Sequence, residues 1–388
     1  MRVFNRLRGV VIVTVALALS GWAAPGGAAS GVIKIGVPVP LSGNNASAGE
    51  DLVNGAKLAA ADINRKGGVN GMKIEIVPAD DACDAQTAAQ AADKLMAQGV
   101  VAVAGGYCSG AALPELTAFH RQGIPYVLDA STNPQLTELG YKEAFRVIGR
   151  DDQQAPFAAN FIATSLRAKT AAVLNDNTTY GKGLADSLVT ALGTRGVKVV
   201  FNDSITPGQS DYTATLTKIR GAQPDVFYYA GYYAEFSLLV KEAKQLELKA
   251  RLIGSDANQS PVLIKTAGSA AEGTIVTTAP LPQFISGAQG FVKAYEKAYG
   301  KSAGPYSAYE YDAVSTVAQA IKAARSTDPK RITAALASLK SFKGITGDIA
   351  FTPKGDRTGI NYISVIVRNG QFAPYKKLDK AGRWVDGR

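Results

Sequence analysis

Five aspartates, Asp80, Asp81, Asp84, Asp129 and Asp256, stand at the ends of short β-branched runs, where a carboxylate can move a proton, meet a cation or cap a helix. Turn chemistry and capping account for Asp84 and Asp129. Asp256 differs, because in Leu252-Ile253-Gly254-Ser255-Asp256 it leaves the carboxyl end of a strand, where open α/β sheets bind ligands. His120 is the only histidine, which excludes a His-based metal cluster. A Ser-His-Asp triad would have to use it, yet it lies beside Arg121 and Gln122 in a helical stretch where a solvated surface role is expected. Cys83 in DDACD and Cys108 in GGYCSG are too few for a structural zinc site and form no C-x-x-C pair, so no metal is called for. Behind an export signal, two such cysteines are expected to oxidise to each other and tie one strand-end turn to the next. The turn PVPLSGNNASAG after Val37 carries neither a dinucleotide nor a P-loop glycine pattern, and no cofactor is expected.

An export signal is expected at residues 1–29. Arg2, Arg6 and Arg8 give a basic start, Val10 to Leu19 is apolar, and Gly27, Ala28 and Ala29 supply small residues for cleavage. The apolar run is about half the roughly 20 residues a bilayer span needs, and no cysteine follows it to take a lipid. A soluble periplasmic protein is the expectation. Losing the three arginines takes the formal charge from +10 to +7, which is modest for the length. No Lys/Arg block with interleaved aromatics occurs, so nucleic-acid binding is not supported.

The elements that must position these residues alternate. Val32–Val37, Lys73–Val77, Val100–Ala104 and Tyr126–Leu128 read as strands between helices at about 49–65, 84–98 and 111–122. A second series follows Phe145–Ile148, with a helix near Pro156–Leu166, a helix at Gly183–Thr194, and strands at 171–174, 197–201, 226–230 and 252–254. Thr274–Thr278 reads as a crossing strand. Amphipathic helices follow around Phe291–Tyr299 and Val314–Ile321. This is an α/β pattern of two doubly wound, Rossmann-like lobes, as expected for a mature chain of about 360 residues.

GVPVPLSG at 36–43, AAADINRKGGVNG at 59–71, DDACD at 80–84 and CSG at 108–110 match one family in order, as do ASTNPQLTELGY at 130–141, YGKGLA at 180–185, YYAGYYAE at 228–235 and YDAV at 311–314. On these stretches the chain resembles the periplasmic leucine/isoleucine/valine-binding proteins of ABC importers along nearly its whole mature length. The resemblance implies the type I periplasmic binding fold, with three crossover strands near Phe145–Ile148, Ile275–Thr278 and Ile349–Phe351, and a last strand, Tyr362–Val367, returning to the second lobe. The lobes would comprise 30–148 plus 279–352 and 149–278 plus 353–376, leaving 377–388 as a charged tail. Cys83 and Cys108 would be bonded beside the pocket. The implied role is that of a receptor and not an enzyme, expected to be monomeric, with a neutral amino acid and an inner-membrane ABC permease as partners.

A buried amino acid presents two charges, and each needs a partner in a dry cleft. By the resemblance, Ser109, Ala130 and Thr132 meet the carboxylate, with the helix opening at Ser109 favouring an anion. Asp256, where relatives carry glutamate, meets the ammonium beside Tyr180 and Tyr232. Capping for Ser109 and Thr132, and core packing for Tyr232, are the alternative roles. The side-chain wall departs from the family. Ala48 stands where a tyrosine closes the pocket, Tyr107 replaces an aliphatic residue, Ser131 an alanine and Tyr306 a phenylalanine. A neutral amino acid is therefore expected, branched-chain or somewhat larger and more polar. An amide or aromatic ligand, or a sensor role, is the alternative.

Overall fold

The computed structural model describes Met1 and residues 31–387, so the expected signal segment lies outside the described residues. The first series is β1 (Val32–Val39), α1 (Ala46–Arg65), β2 (Lys73–Asp80), α2 (Ala85–Ala97), β3 (Ala102–Gly105), α3 (Ser109–Gln122), β4 (Tyr126–Leu128), α4 (Gln135–Glu138) and β5 (Ala144–Arg146). Its strands form a parallel sheet in the order β2-β1-β3-β4-β5. Ile33, Ile35, Val37 and Val39 put one face of β1 wholly into the core. On the other face Gly36 lets Leu95 of α2 come close, since a Cβ there would lie 3.1 Å from it. Burial on both faces is why this strand reads as an apolar run and not as an alternation. Asp84 caps α2 by accepting from the backbone N–H groups of Gln86 and Thr87.

The chain then builds α5 (Asp151–Asn160), β6 (Thr170–Asn175), α6 (Thr179–Thr194), β7 (Lys198–Ser204), α7 (Thr213–Ala222), β8 (Val226–Ala230), α8 (Tyr233–Gln245), β9 (Arg251–Gly254), α9 (Pro261–Ala267) and β10 (Ile275–Thr278). Helices α10 (Gln289–Tyr299), α11 (Ser307–Ala324) and α12 (Pro329–Ala337) return to the first sheet, where α11 packs on α1 and β3. Gly55 permits that contact, because a Cβ on it would meet the Ser307 carbonyl at 2.3 Å. A hairpin, β11 (Phe342–Gly344) and β12 (Gly347–Ile349), precedes β13 (Ile363–Arg368), β14 (Gln371–Leu378) and β15 (Trp384–Asp386). The second sheet runs β15-β14-β13-β10-β9-β8-β6-β7, parallel from β10 to β7 and antiparallel from β15 to β10.

The lobes are joined where the chain leaves β5, β10 and β12. The first and third crossovers run side by side, with the Arg146 N–H donating to Gly355 O at 2.8 Å and the Arg357 N–H to Arg146 O at 3.0 Å. In each sheet the strand order reverses next to β1 or β6, so the turns after neighbouring strands diverge and leave a crevice. The two crevices face each other.

Two expectations need correction. The helix expected at Pro156–Leu166 starts instead at Asp151, where Gln153 accepts the Arg150 N–H, and closes in a π-helical turn at Phe161–Ser165. The stretch expected to begin a charged tail at 377 is instead part of the second sheet over 377–386, since β14 extends to Leu378 and β15 pairs with it. Trp384 lies 5.4 Å from the rings of both Phe157 and Phe161 and donates its indole N–H to Thr164 at 2.7 Å. Charge density hid this strand from a reading by composition, although its cations are paired, Lys376 with Asp386 and Arg383 with Asp379, each at 2.9 Å.

Candidate functional site

On the first lobe, three turns reach the cleft. Cys83 and Cys108 are bonded with a Cα–Cα separation of 5.3 Å, which ties the turn after β2 to the start of α3. Closing a loop of 25 residues contributes roughly 3 kcal/mol through the unfolded state in the chain-entropy model. Ser109 opens α3, is buried, and accepts from the Asn133 N–H at 3.3 Å. Ala130, Ser131 and Thr132 follow β4 and are buried, and the hydroxyls of Ser131 and Thr132 have no hydrogen-bond partner. Neither hydroxyl caps a helix. Arg146, wholly buried, braces this turn from behind by donating to Ser131 O at 3.1 Å and Asn133 O at 2.9 Å. Asp356 holds Arg146 at 3.0 Å and Arg150 at 2.7 Å.

On the second lobe, Asp256 follows β9, Tyr180 sits in the first turn of α6, and Tyr232 precedes α8. The Tyr180 hydroxyl donates to one Asp256 oxygen at 2.6 Å, and Tyr306, from the first lobe, donates to the other at 3.1 Å. Burial raises the Asp256 carboxyl above the usual range, and bonds from Tyr180, Tyr306 and Gln154 oppose that rise. The Tyr232 ring lies between Tyr107, at 5.4 Å, and Tyr180, at 5.3 Å. Tyr306 meets Tyr107 edge-on at 5.6 Å. Burial, and then the charge of Asp176, push the Tyr232 hydroxyl well up, with the nearby Ser109 backbone opposing. The structure thus brings Ser109, Ala130, Thr132, Tyr180, Tyr232 and Asp256 to one cleft, with Tyr107, Ser131 and Tyr306 beside them. Ala48, half-buried, lines an adjoining cavity.

Sequence reasoning missed Asp151. It is fully buried at the start of α5, and neither carboxylate oxygen has a hydrogen bond of good geometry, although the Thr132 hydroxyl lies beside it. Burial, and then the charge of Asp256, raise it well above the usual range. Both shifts are what burial does to a carboxylate, and a cation bound beside the pair would oppose them. In RDDQ an acid at a helix start reads as a cap, and only its burial marks it. His120 is not free in solvent, as it pairs with Glu143 at 2.6 Å and stacks on Tyr141 at 4.0 Å. Asp129 caps nothing, and both its oxygens are buried without a hydrogen-bond partner of good geometry, beside Glu310. Among the described residues no group of three or more His, Cys, Asp or Glu is placed to hold a metal ion.

The lobes are drawn together. Beyond the Tyr306–Asp256 bond, Tyr233 donates to Asn44 O and the Asn133 amide to Thr179 O, both at 2.8 Å. A two-lobed fold with opposed switch points, a disulfide-braced turn on one side and carboxylates on the other is the architecture of a solute-binding protein. The periplasmic binding protein family model matches residues 32–371, and the chain belongs to that family, in its branched-chain amino acid group. The Leu/Ile/Val-binding protein homolog 1 of Brucella suis is 34% identical, over 94% of this chain and 98% of the relative. Two solved structures share the fold. The leucine-binding protein LivK of Thermotoga maritima has a TM-score of 0.83 at 30% identity, covering 88% of this chain and 97% of its own. The branched-chain amino acid transporter substrate-binding protein LivJ of Streptococcus pneumoniae, in complex with isoleucine, has a TM-score of 0.82 at 27% identity, covering 92% and 99%. Family membership implies an extracytoplasmic location.

Proposed function

We propose that the protein is the periplasmic receptor of an ABC importer, binding a neutral L-amino acid between its lobes and passing it to an inner-membrane permease without chemical change. One juxtaposition carries this reading: the Thr132 hydroxyl, which makes no hydrogen bond of good geometry, and the opening turn of α3 at Ser109 share the cleft with the buried carboxylates of Asp256 and Asp151. Donors and a helix start suit a carboxylate, and buried acids ringed by phenols suit an ammonium. A zwitterion satisfies both at once. Ligand contacts made only in the closed form would shift the population toward it, and that form would be the one the permease reads. The names of the relatives, which bind leucine, isoleucine and valine, support the same class of ligand.

Isothermal titration of the ligand-stripped protein against all the common L-amino acids tests the reading. Binding of several neutral amino acids, lost when either the amine or the carboxylate is blocked, is the expected result. Tighter binding of a carboxylic acid lacking an amine would overturn it.

A further inference from the structure

Beside Ala48 the cleft continues into a cavity of about 70 Å³ that none of the carboxylate or ammonium anchors occupies. Ser47, Ala48, Tyr107, Tyr233, Gln259 and Tyr306 line it, together with Asp51 and Lys301. We propose that this annex is the side-chain subsite, and that Gln259 selects an amino acid whose side chain ends in a carboxamide, of glutamine type, over an apolar side chain of equal length. The inference rests on the amino-acid reading above and names its ligand class.

Gln259 carries it. The residue is only 8% exposed, and its side-chain oxygen is buried with no hydrogen-bond donor in reach. A buried, unpaired amide oxygen is costly in an apolar setting, and a ligand N–H would relieve it. Its backbone N–H donates to Asp256 O at 3.1 Å, so the amide stands at a fixed offset from the proposed ammonium anchor. The rings of Tyr107, Tyr233 and Tyr306 supply flat apolar walls for intervening methylenes. The volume suits a terminal group of a few heavy atoms and not another ring.

Charged side chains find no partner there. Asp51 already accepts from the Tyr295 hydroxyl at 2.8 Å, the Gly304 N–H at 2.8 Å and the Ser307 N–H at 3.1 Å. Burial raises its carboxyl above the usual range, with those bonds opposing. Lys301 is engaged with Glu50 at 2.8 Å. A cationic side chain would meet an acid that already accepts three hydrogen bonds, with a lysine lining the same cavity.

Glutamine and methionine are nearly equal in length, so their affinity ratio isolates the hydrogen bond from size. In calorimetric titrations of the mature chain, glutamine should bind about tenfold tighter than methionine or more. Gln259→Leu should lower that ratio at least tenfold, and Ala48→Leu, which fills the annex from the opposite wall, should erase it by a separate route. The readout is a ratio on one protein, and loss of folded material scales both ligands alike. Methionine or leucine bound as tightly as glutamine by the unaltered protein, arginine bound best, or a ratio unmoved by Gln259→Leu would each overturn the proposal while leaving amino-acid binding intact. Absence of binding by any α-amino acid would overturn the underlying reading, and this one with it.

Discussion

The first-lobe wall of the cleft combines braced backbone turns with the rings of Tyr107 and Tyr306, whereas the second-lobe wall is made of the phenols of Tyr180 and Tyr232 and the carboxylates of Asp151 and Asp256. The turns are held from behind by groups that never face the ligand: the Cys83–Cys108 bond, and Arg146 donating to the carbonyls of Ser131 and Asn133. The opposite wall has Asp256 clasped by Tyr180 of its own lobe and by Tyr306 of the other. One wall is preorganised whether the lobes are open or shut, and the other is completed only when they meet. Preorganised donors cost little ordering on binding, and a contact made only on closure converts ligand binding into a change of shape.

Removing Arg146 strikes hardest at the preorganised wall. Arg146→Met would leave the buried Ser131 carbonyl without its donor, Asn133 O with only the Leu136 N–H, and Asp356 with Arg150 and the Thr137 hydroxyl, a loss of about 3–5 kcal/mol by the usual measure of a broken buried ion pair. Urea unfolding would show it. A loss below about 1 kcal/mol would mean that the turn holds itself and that the contrast with the opposite wall is overstated.

The same wall should respond to pH through Asp81, which accepts the Cys83 N–H at 2.8 Å. Burial, with the charge of Asp80 adding to it and the Cys83 bond opposing, pushes its carboxyl up to about 7. Glu115, itself raised well up by burial, faces it as well. An acid whose folded value is raised favours the folded state most below its unfolded value. Its contribution is lost as pH climbs from about 4 to 7 and is flat above that. Asp81→Asn keeps an acceptor for Cys83 but cannot ionise. The difference in unfolding free energy between variant and parent should therefore grow across that window by at most about 4 kcal/mol, then level off. Parallel pH profiles would remove Asp81 as a titrating group.

On the other wall, Asp256→Ala should weaken amino-acid binding by about a hundredfold or more, with the ligand-free melting temperature close to that of the parent. Affinity within about threefold of the parent would take Asp256 out of the site and hand the ammonium to Asp151 alone.

How much of this could be read from the residues differs along the chain. The parallel sheets were legible because strands buried on both faces, such as 226–230 and most of 32–39, are largely apolar runs between helical stretches, broken in the latter only by Lys34 near its start. Trp384–Asp386 was not, because the residues around it are densely charged and its one large apolar side chain looks isolated until Phe157 and Phe161 are seen beneath it. In the cleft, Ser109, Thr132 and Asp256 were marked by motifs, and Ala48 by a missing tyrosine. Asp151 and Gln259 carried no such mark. Each lies near the start of a helix, where acids and amides ordinarily cap, and only burial without a partner sets them apart. Burial depends on what packs from distant segments, and no local pattern records it.

The smallest expected effect is the sharpest test of the contrast between walls. Tyr306→Phe removes one hydroxyl and leaves the ring against Tyr107, so it deletes the bond across the cleft with little change in packing. If that bond belongs to closure, amino-acid affinity should fall about tenfold, the value of one hydrogen bond to a buried charged group. The ligand-free protein should also become more extended in solution scattering, while the saturated protein keeps its compact profile. If Tyr306 instead meets the ligand directly, affinity should fall as far as it does with Asp256→Ala and the ligand-free profile should not move. An unchanged affinity together with an unchanged profile would make the cross-cleft bond incidental. The second wall would then be as preorganised as the first, and the work of closure would pass to Tyr233 and Asn133, whose bonds to Asn44 and Thr179 join the lobes away from the anchors.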